Sequence, residues 1–110
     1  MEQMLIVMTN LPNAQAAEGL ASTLVEARLA ACVNLLPAVQ SVYRWDGKVE
    51  RATEVTLLIK TTQRHYAALE TAIRTAHPYE LPEVIALPVT AGLPSYLQWV
   101  VTETTPEQHA

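Results

Sequence analysis

The side chains able to do chemistry concentrate in one stretch, His77-Pro78-Tyr79-Glu80-Leu81-Pro82-Glu83, which sets an imidazole, a phenol and two carboxylates within seven positions. A neutral imidazole ligates borderline metal ions and carries protons near neutral pH. Pro78 and Pro82 bias His77 and Leu81 away from the α region, so the stretch runs extended and stiff and its side chains hold fixed directions. Glu80 has no helical or strand partner in the pattern, which makes it the leading carboxylate for a functional role. A rigid turn whose polar groups satisfy local backbone would use the same residues without any function.

Three further residues enter the reckoning. Cys32 sits among Ala30, Ala31 and Val33, the company of a small buried hydrophobe; its chemical alternatives are a soft metal ligand or a nucleophile in a subunit cleft. Lys60 shares a strand face with Glu54, either as part of an anion site or as an ion pair within one subunit or across two. Nucleophilic catalysis by Cys32 with His77 as base is the least favoured reading, because nothing around Cys32 is electropositive enough to favour a thiolate. There is no His-x-x-x-His or Cys-x-x-Cys spacing and no Gly-rich phosphate loop. His65 and His109 are expected to be solvated.

Elements must position these groups. Met4 to Met8 is apolar throughout, which predicts a strand buried on both faces. Asn10-Leu11-Pro12-Asn13 supplies a turn and an N-cap; Ala17, Leu20, Ala21, Leu24 and Ala27 then share one face of a helix ending near Leu29. From Ala31 to about Thr61 the chain reads as extended and folded back once. Asp46-Gly47 is the reversal, because a type I′ turn needs positive φ at both central positions. That turn sets Trp45 opposite Lys48, Tyr43 opposite Glu50 and Val42 opposite Arg51. Pro37 cannot donate a ladder bond and marks a bulge or an edge.

Thr61 or Thr62 is placed to cap a second helix, on which Tyr66, Leu69, Ile73 and His77 align at spacings of three and four. His77 falls at its negative end, where the ring can donate to the last helix carbonyls. Val84 to Val89 is a second strand apolar on both faces, Leu93 to Val101 a short helix, and Glu103 to Ala110 a polar, fraying tail.

This order predicts an α+β fold spanning residues 1–110 as one domain: the ferredoxin-like split βαβ plait, an antiparallel sheet with a long hairpin, two main helices and a short C-terminal helix. The plait covers one sheet face, yet its first and last strands are apolar on both. Self-association is the expected cover, with Tyr43 and Trp45 near the hairpin tip assigned to the interface.

Composition narrows the function classes. Half of the 110 residues are hydrophobic and 16% are charged, so the chain is globular. A net charge of −4 with no basic run argues against nucleic acid. The single cysteine excludes an intrachain disulfide. The N-terminus lacks a positive n-region and its apolar run is too short for a membrane span, so a cytoplasmic location is expected.

Ala30-Ala31-Cys32-Val33-Asn34, Tyr43-Arg44-Trp45-Asp46-Gly47-Lys48, Glu54, Lys60-Thr61, the His77–Glu83 stretch and Tyr96-Leu97-Gln98-Trp99 together resemble the CutA family of divalent-cation tolerance proteins, in order and spacing from about Leu5 to Trp99. The resemblance implies a homotrimer similar in architecture to the PII signalling proteins, with no established reaction, and association with copper or another divalent cation. Some members thought to bind copper carry a Cys where this chain has Met8 and a second His where it has Ala76. Of that trio only His77 remains, so weaker binding is expected; with Cys32 added as the soft ligand its own chemistry offers, the expected metal ligands are His77 and Cys32. The alternative is a PII-like scaffold whose subunit clefts hold a small polar ligand through Lys60, Tyr79 and Glu80.

Overall fold

The computed structural model describes residues 2–106, so His109 lies outside the described residues. The elements run β1 (Met4–Leu11), α1 (Ala14–Glu26), β2 (Cys32–Trp45), β3 (Lys48–Thr62), a 3-10 turn (Gln63–His65), α2 (Tyr66–Ala76), β4 (Ile85–Pro88) and α3 (Pro94–Glu103). The four strands lie in the order β2-β3-β1-β4, every neighbouring pair antiparallel, which is the plait expected from the pattern. β3 has 15 residues, so at about 3.3 Å each it spans close to the full 54 Å of the molecule. The far half of the β2–β3 hairpin therefore projects beyond the helices.

One face of the sheet carries the core. Leu5, Val7 and Leu11 of β1 and Val55, Leu57 and Ile59 of β3 pack against Ala17, Leu20 and Leu24 of α1 and Leu69 and Ile73 of α2. Fully burying each such Leu, Ile or Val contributes about 1.5–3 kcal/mol as an upper bound. The other face is covered at its Met4 end, where α3 brings Val100 and Leu97 against Met4 and Ala31. Ile85 and Leu87 of β4, opposite Met8 and Ile6, remain about half exposed.

Several boundaries differ from the sequence reading. β1 continues to Leu11, so Asn10 is a strand residue, and the N-cap of α1 is Asn13, whose side chain accepts from the Ala16 amide at 2.8 Å. α1 stops at Glu26 rather than near Leu29, because Arg28 takes φ 58° and turns the chain. Neither Thr61 nor Thr62 caps with its side chain: the Thr61 hydroxyl donates to the Leu29 carbonyl at 2.7 Å, and Thr62 makes no capping bond. β4 is shorter than Val84–Val89. The tail is ordered further than its polarity suggests, since Thr104 is buried and its hydroxyl donates to the Val100 carbonyl.

The hairpin turn lies where expected. Asp46 and Gly47 have φ of 51° and 77°, and Trp45, Tyr43 and Val42 face Lys48, Glu50 and Arg51.

Candidate functional site

α2 ends at Ala76, and His77 is already extended, as Pro78 after it requires. The connecting segment then crosses from the helical layer to the open side of the sheet, and Asn10 holds both of its ends. The Asn10 carbonyl accepts from His77 Nε2 at 2.7 Å, while its side-chain amide donates to Glu83 Oε1 at 3.2 Å. Asn10 is itself fixed by the Thr56 hydroxyl, which donates to its side-chain oxygen at 2.6 Å.

His77 thus does not donate to the helix carbonyls; Pro78 has turned the ring towards β1. The Tyr79 amide donates to His77 Nδ1 at 3.2 Å, which makes Nδ1 the acceptor and leaves the ring proton on Nε2 for Asn10. The His77 and Tyr79 rings pack at 4.8 Å. Burial lowers the His77 pKa from its ordinary value, with the Asn10 carbonyl and the Glu54 charge opposing.

Tyr79 reaches onward, its hydroxyl donating to Glu54 Oε2 at 2.7 Å. Glu54 is 7% exposed. Burial, then the bond to this carboxylate, pushes the Tyr79 phenol well above the usual tyrosine range, so it stays protonated and acts as donor.

Between the segment and the hairpin lies an open groove of about 980 Å³. Tyr43, Trp45, Glu54, Pro78, Tyr79 and Glu80 are among its walls. A bulge decides which hairpin side chains reach it. Leu36 pairs with Thr56 and Val39 with Glu54, so β2 spends three positions where β3 spends two, with Ala38 at φ 58°. Cys32, Asn34 and Leu36 share the open face before the bulge; after it the odd-numbered Val39, Ser41, Tyr43 and Trp45 do. Without the extra residue Val42 and Arg44 would face Glu54's side. Pro37, adjoining the bulge on an edge strand, fits both roles its missing donor allows.

The structure brings together only some of the residues singled out from sequence. Tyr79 and Glu80 meet Tyr43 and Trp45 at the groove, Tyr43 and Trp45 being about half exposed there. Lys60 is not among the lining residues. It lies six positions from Glu54 along β3, roughly 20 Å at ~3.3 Å per residue, and the two form no ion pair. An anion site built on Lys60 with Tyr79 and Glu80 is therefore not assembled within this chain. Cys32 pairs with Lys60 at the level of Ile6, whereas His77 sits at Asn10, about 13 Å along the strands. The two are out of hydrogen-bond reach within one chain. Cys32 instead stands beside Tyr96, whose phenol is raised by burial and by this neighbour. His65 is half-buried, and burial lowers its pKa. Among the described residues no group of three or more His, Cys, Asp and Glu is gathered to hold a metal ion.

Sequence reasoning missed Asn10 and undervalued Glu54. Glu54's signal was faint: a carboxylate in a strand otherwise rich in apolar residues, just across from the bulge. Asn10 followed a strand and preceded Pro12, the setting of an ordinary turn.

Fold and site together define a small ferredoxin-like α+β domain with an open groove walled on one side by a proline-stiffened segment. The chain belongs to the CutA1 divalent ion tolerance protein family, whose pattern it matches over residues 5–103. It is 52% identical over 95 residues to protein CutA of Mus musculus, a match covering 84% of this chain and 54% of that protein. It is 41% identical over 99 residues to the divalent-cation tolerance protein CutA of Thermus thermophilus, covering 90% and 96%. The chain thus spans about half the length of its mammalian relative and nearly all of the Thermus one. Crystal structures agree: CutA from Xylella fastidiosa superposes with a TM-score of 0.90 at 45% identity, covering 93% of this chain and 98% of that one. CutA1 from Oryza sativa gives 0.92 at 39% identity, covering 96% and 97%. An Arabidopsis thaliana relative is named chloroplastic and the Archaeoglobus fulgidus structure periplasmic. Among the described residues, no helix of this chain is long and apolar enough to cross a membrane.

Proposed function

We propose that this chain is a non-enzymatic binding protein of divalent-cation tolerance, acting as a cytoplasmic homotrimer with the Glu54–Tyr79 groove as its working site. The observation that carries this reading is the buried Glu54 carboxylate held by Tyr79 inside a groove of about 980 Å³. That room suits a small molecule better than a bare ion, which favours a PII-like sensing or scaffolding role. The half-exposed Ile85 and Leu87 on the second sheet face support assembly of copies.

Direct copper ligation by His77 and Cys32 is the competing reading, and it is supported by the tolerance named for the family. Both nitrogens of His77 are already engaged, so ligation would first break a bond to Asn10 or Tyr79. Copper titration of the wild type against His77→Ala and Cys32→Ser tests the choice. Equal affinity in all three proteins is expected. A tenfold loss in either variant, deepening as pH drops and imidazole protonates, would assign the role to direct ligation.

A further inference from the structure

We infer that residues 78–84 form a strap that opens as one piece while the sheet stays folded, and that Asn10 is its latch. Among the described residues, positions 78–84 form no backbone–backbone hydrogen bond. Pro78 and Pro82 have no N–H to give, and Pro78, Glu80, Leu81 and Glu83 are exposed. The segment is therefore held to the body of the chain by side chains. A stretch with so few backbone bonds and so little burial opens at far lower cost than the strands beneath it. The two prolines keep it stiff, so it leaves as a unit rather than fraying residue by residue.

Its ties converge on two neighbouring same-face positions of β3. The Tyr79 hydroxyl donates to Glu54 at 2.7 Å. At the next such position Thr56 donates to the Asn10 side-chain oxygen at 2.6 Å, and the Asn10 amide donates in turn to Glu83 at 3.2 Å. The β1–β4 ladder explains where that second tie falls. Its pairs run from Leu5 with Pro88 to Met8 with Ile85, and the same count sets Asn10 opposite Glu83. Asn10 thus adds a side-chain rung after the backbone rungs have ended. At the other end the His77 ring is held by the Asn10 carbonyl, which no side-chain substitution removes, so His77 is the hinge. Glu54 and Thr56 are 7% and 6% exposed within the single chain, so both ties exist without any copy on the sheet face. Opening carries the Tyr79 hydroxyl off Glu54 and leaves that carboxylate without its donor.

Native-state proteolysis of the full chain tests this, with chymotrypsin cutting after Tyr79 and the product read by mass. In urea well below the unfolding transition the cut is expected, at a rate that rises with urea much less steeply than global unfolding does. Glu83 is exposed, so Glu83→Ala removes the rung without entering the core, and it should speed the cut about tenfold. Asn10→Ala should do the same, and the double variant should add nothing further, since both changes remove one bond. The inference is overturned if the cut appears only with the full urea dependence of global unfolding, or if either variant leaves its rate unchanged. It is overturned too if the double variant shows the product of the two single effects, since Asn10 then does not act through Glu83. A chain that resists the cut until Leu87→Asp reduces its mass in light scattering would show that neighbouring copies, and not Asn10, hold the strap.

Discussion

The Tyr79 hydroxyl donates to Glu54 Oε2 at 2.7 Å, tying the segment after α2 to a strand residue 25 positions earlier. This bond does for the groove what a disulfide would do for a loop: it sets the distance between two walls. Tyr79→Phe leaves a buried carboxylate without its donor, which costs about 1–3 kcal/mol. Urea midpoints should fall for Tyr79→Phe and for Glu54→Leu, which removes the acceptor that Gln would keep. The double variant should lose less than the sum of the two, because the shared bond is counted twice.

Acid acts on the same segment through His77. Its pKa in the folded chain lies below the ordinary value of 6.5, so above that pH both states are neutral and stability is flat. As pH falls through 6.5 the unfolded chain takes up a proton that the folded one resists, and stability declines until the lowered folded pKa is passed. His65 is lowered in the same direction and adds to the slope. Denaturation between pH 5 and 8 should show this fall, and His77→Gln should keep only the part due to His65. An unchanged slope in His77→Gln would contradict the assignment.

Gly47 has φ 77° with open space where a Cβ would sit. Any loss in Gly47→Val is therefore a backbone cost of about 1–2 kcal/mol, unmixed with clashes. Gly47→Asn should lose much less, since Asn tolerates that region. Thermal unfolding of the two variants separates strain from packing.

Assembly can be checked at the sheet face. Leu87 is 50% exposed beside Ile6, and a charge placed there would be buried in any oligomer that covers the face. Light scattering should give three chain masses for the wild type and a smaller mass for Leu87→Asp. A monomer mass for the wild type at micromolar concentration would contradict the homotrimer.

Elements governed by neighbours in sequence were legible; contacts between distant ones were not. Asp46-Gly47 announces its turn because its backbone demand is local, and the pairing of Trp45, Tyr43 and Val42 follows by counting outward. His77 could be placed at the end of a helix face because spacing alone sets it there. Its partner could not, because the Asn10 carbonyl is 67 positions away and only the packing of α2 on β1 brings it near. Glu54 and Lys60 share a face by parity, yet parity says nothing of distance along a long strand. The bulge could be located at Pro37 but its size could not be counted, and that count determines which half of the hairpin's side chains look inward.

The extra residue at Pro37–Ala38 changes the phase of β2, so one strand carries two independent alphabets. Up to Leu36 even positions look towards the open face; from Val39 odd positions do. Substitutions that tune the groove through Ser41, Tyr43 and Trp45 therefore fall out of step with those that tune the sheet centre through Cys32, Asn34 and Leu36. The projecting arm can lengthen or shorten by matched pairs of residues, one on each strand, while Tyr43 stays opposite Glu50 and Val39 opposite Glu54. A single insertion between Val39 and Arg44 would exchange the inner and outer sets beyond it at one stroke, turning Arg44 towards the open face. Length variation in this arm is thus expected in matched pairs, and a lone insertion should appear only with a second bulge to restore the phase.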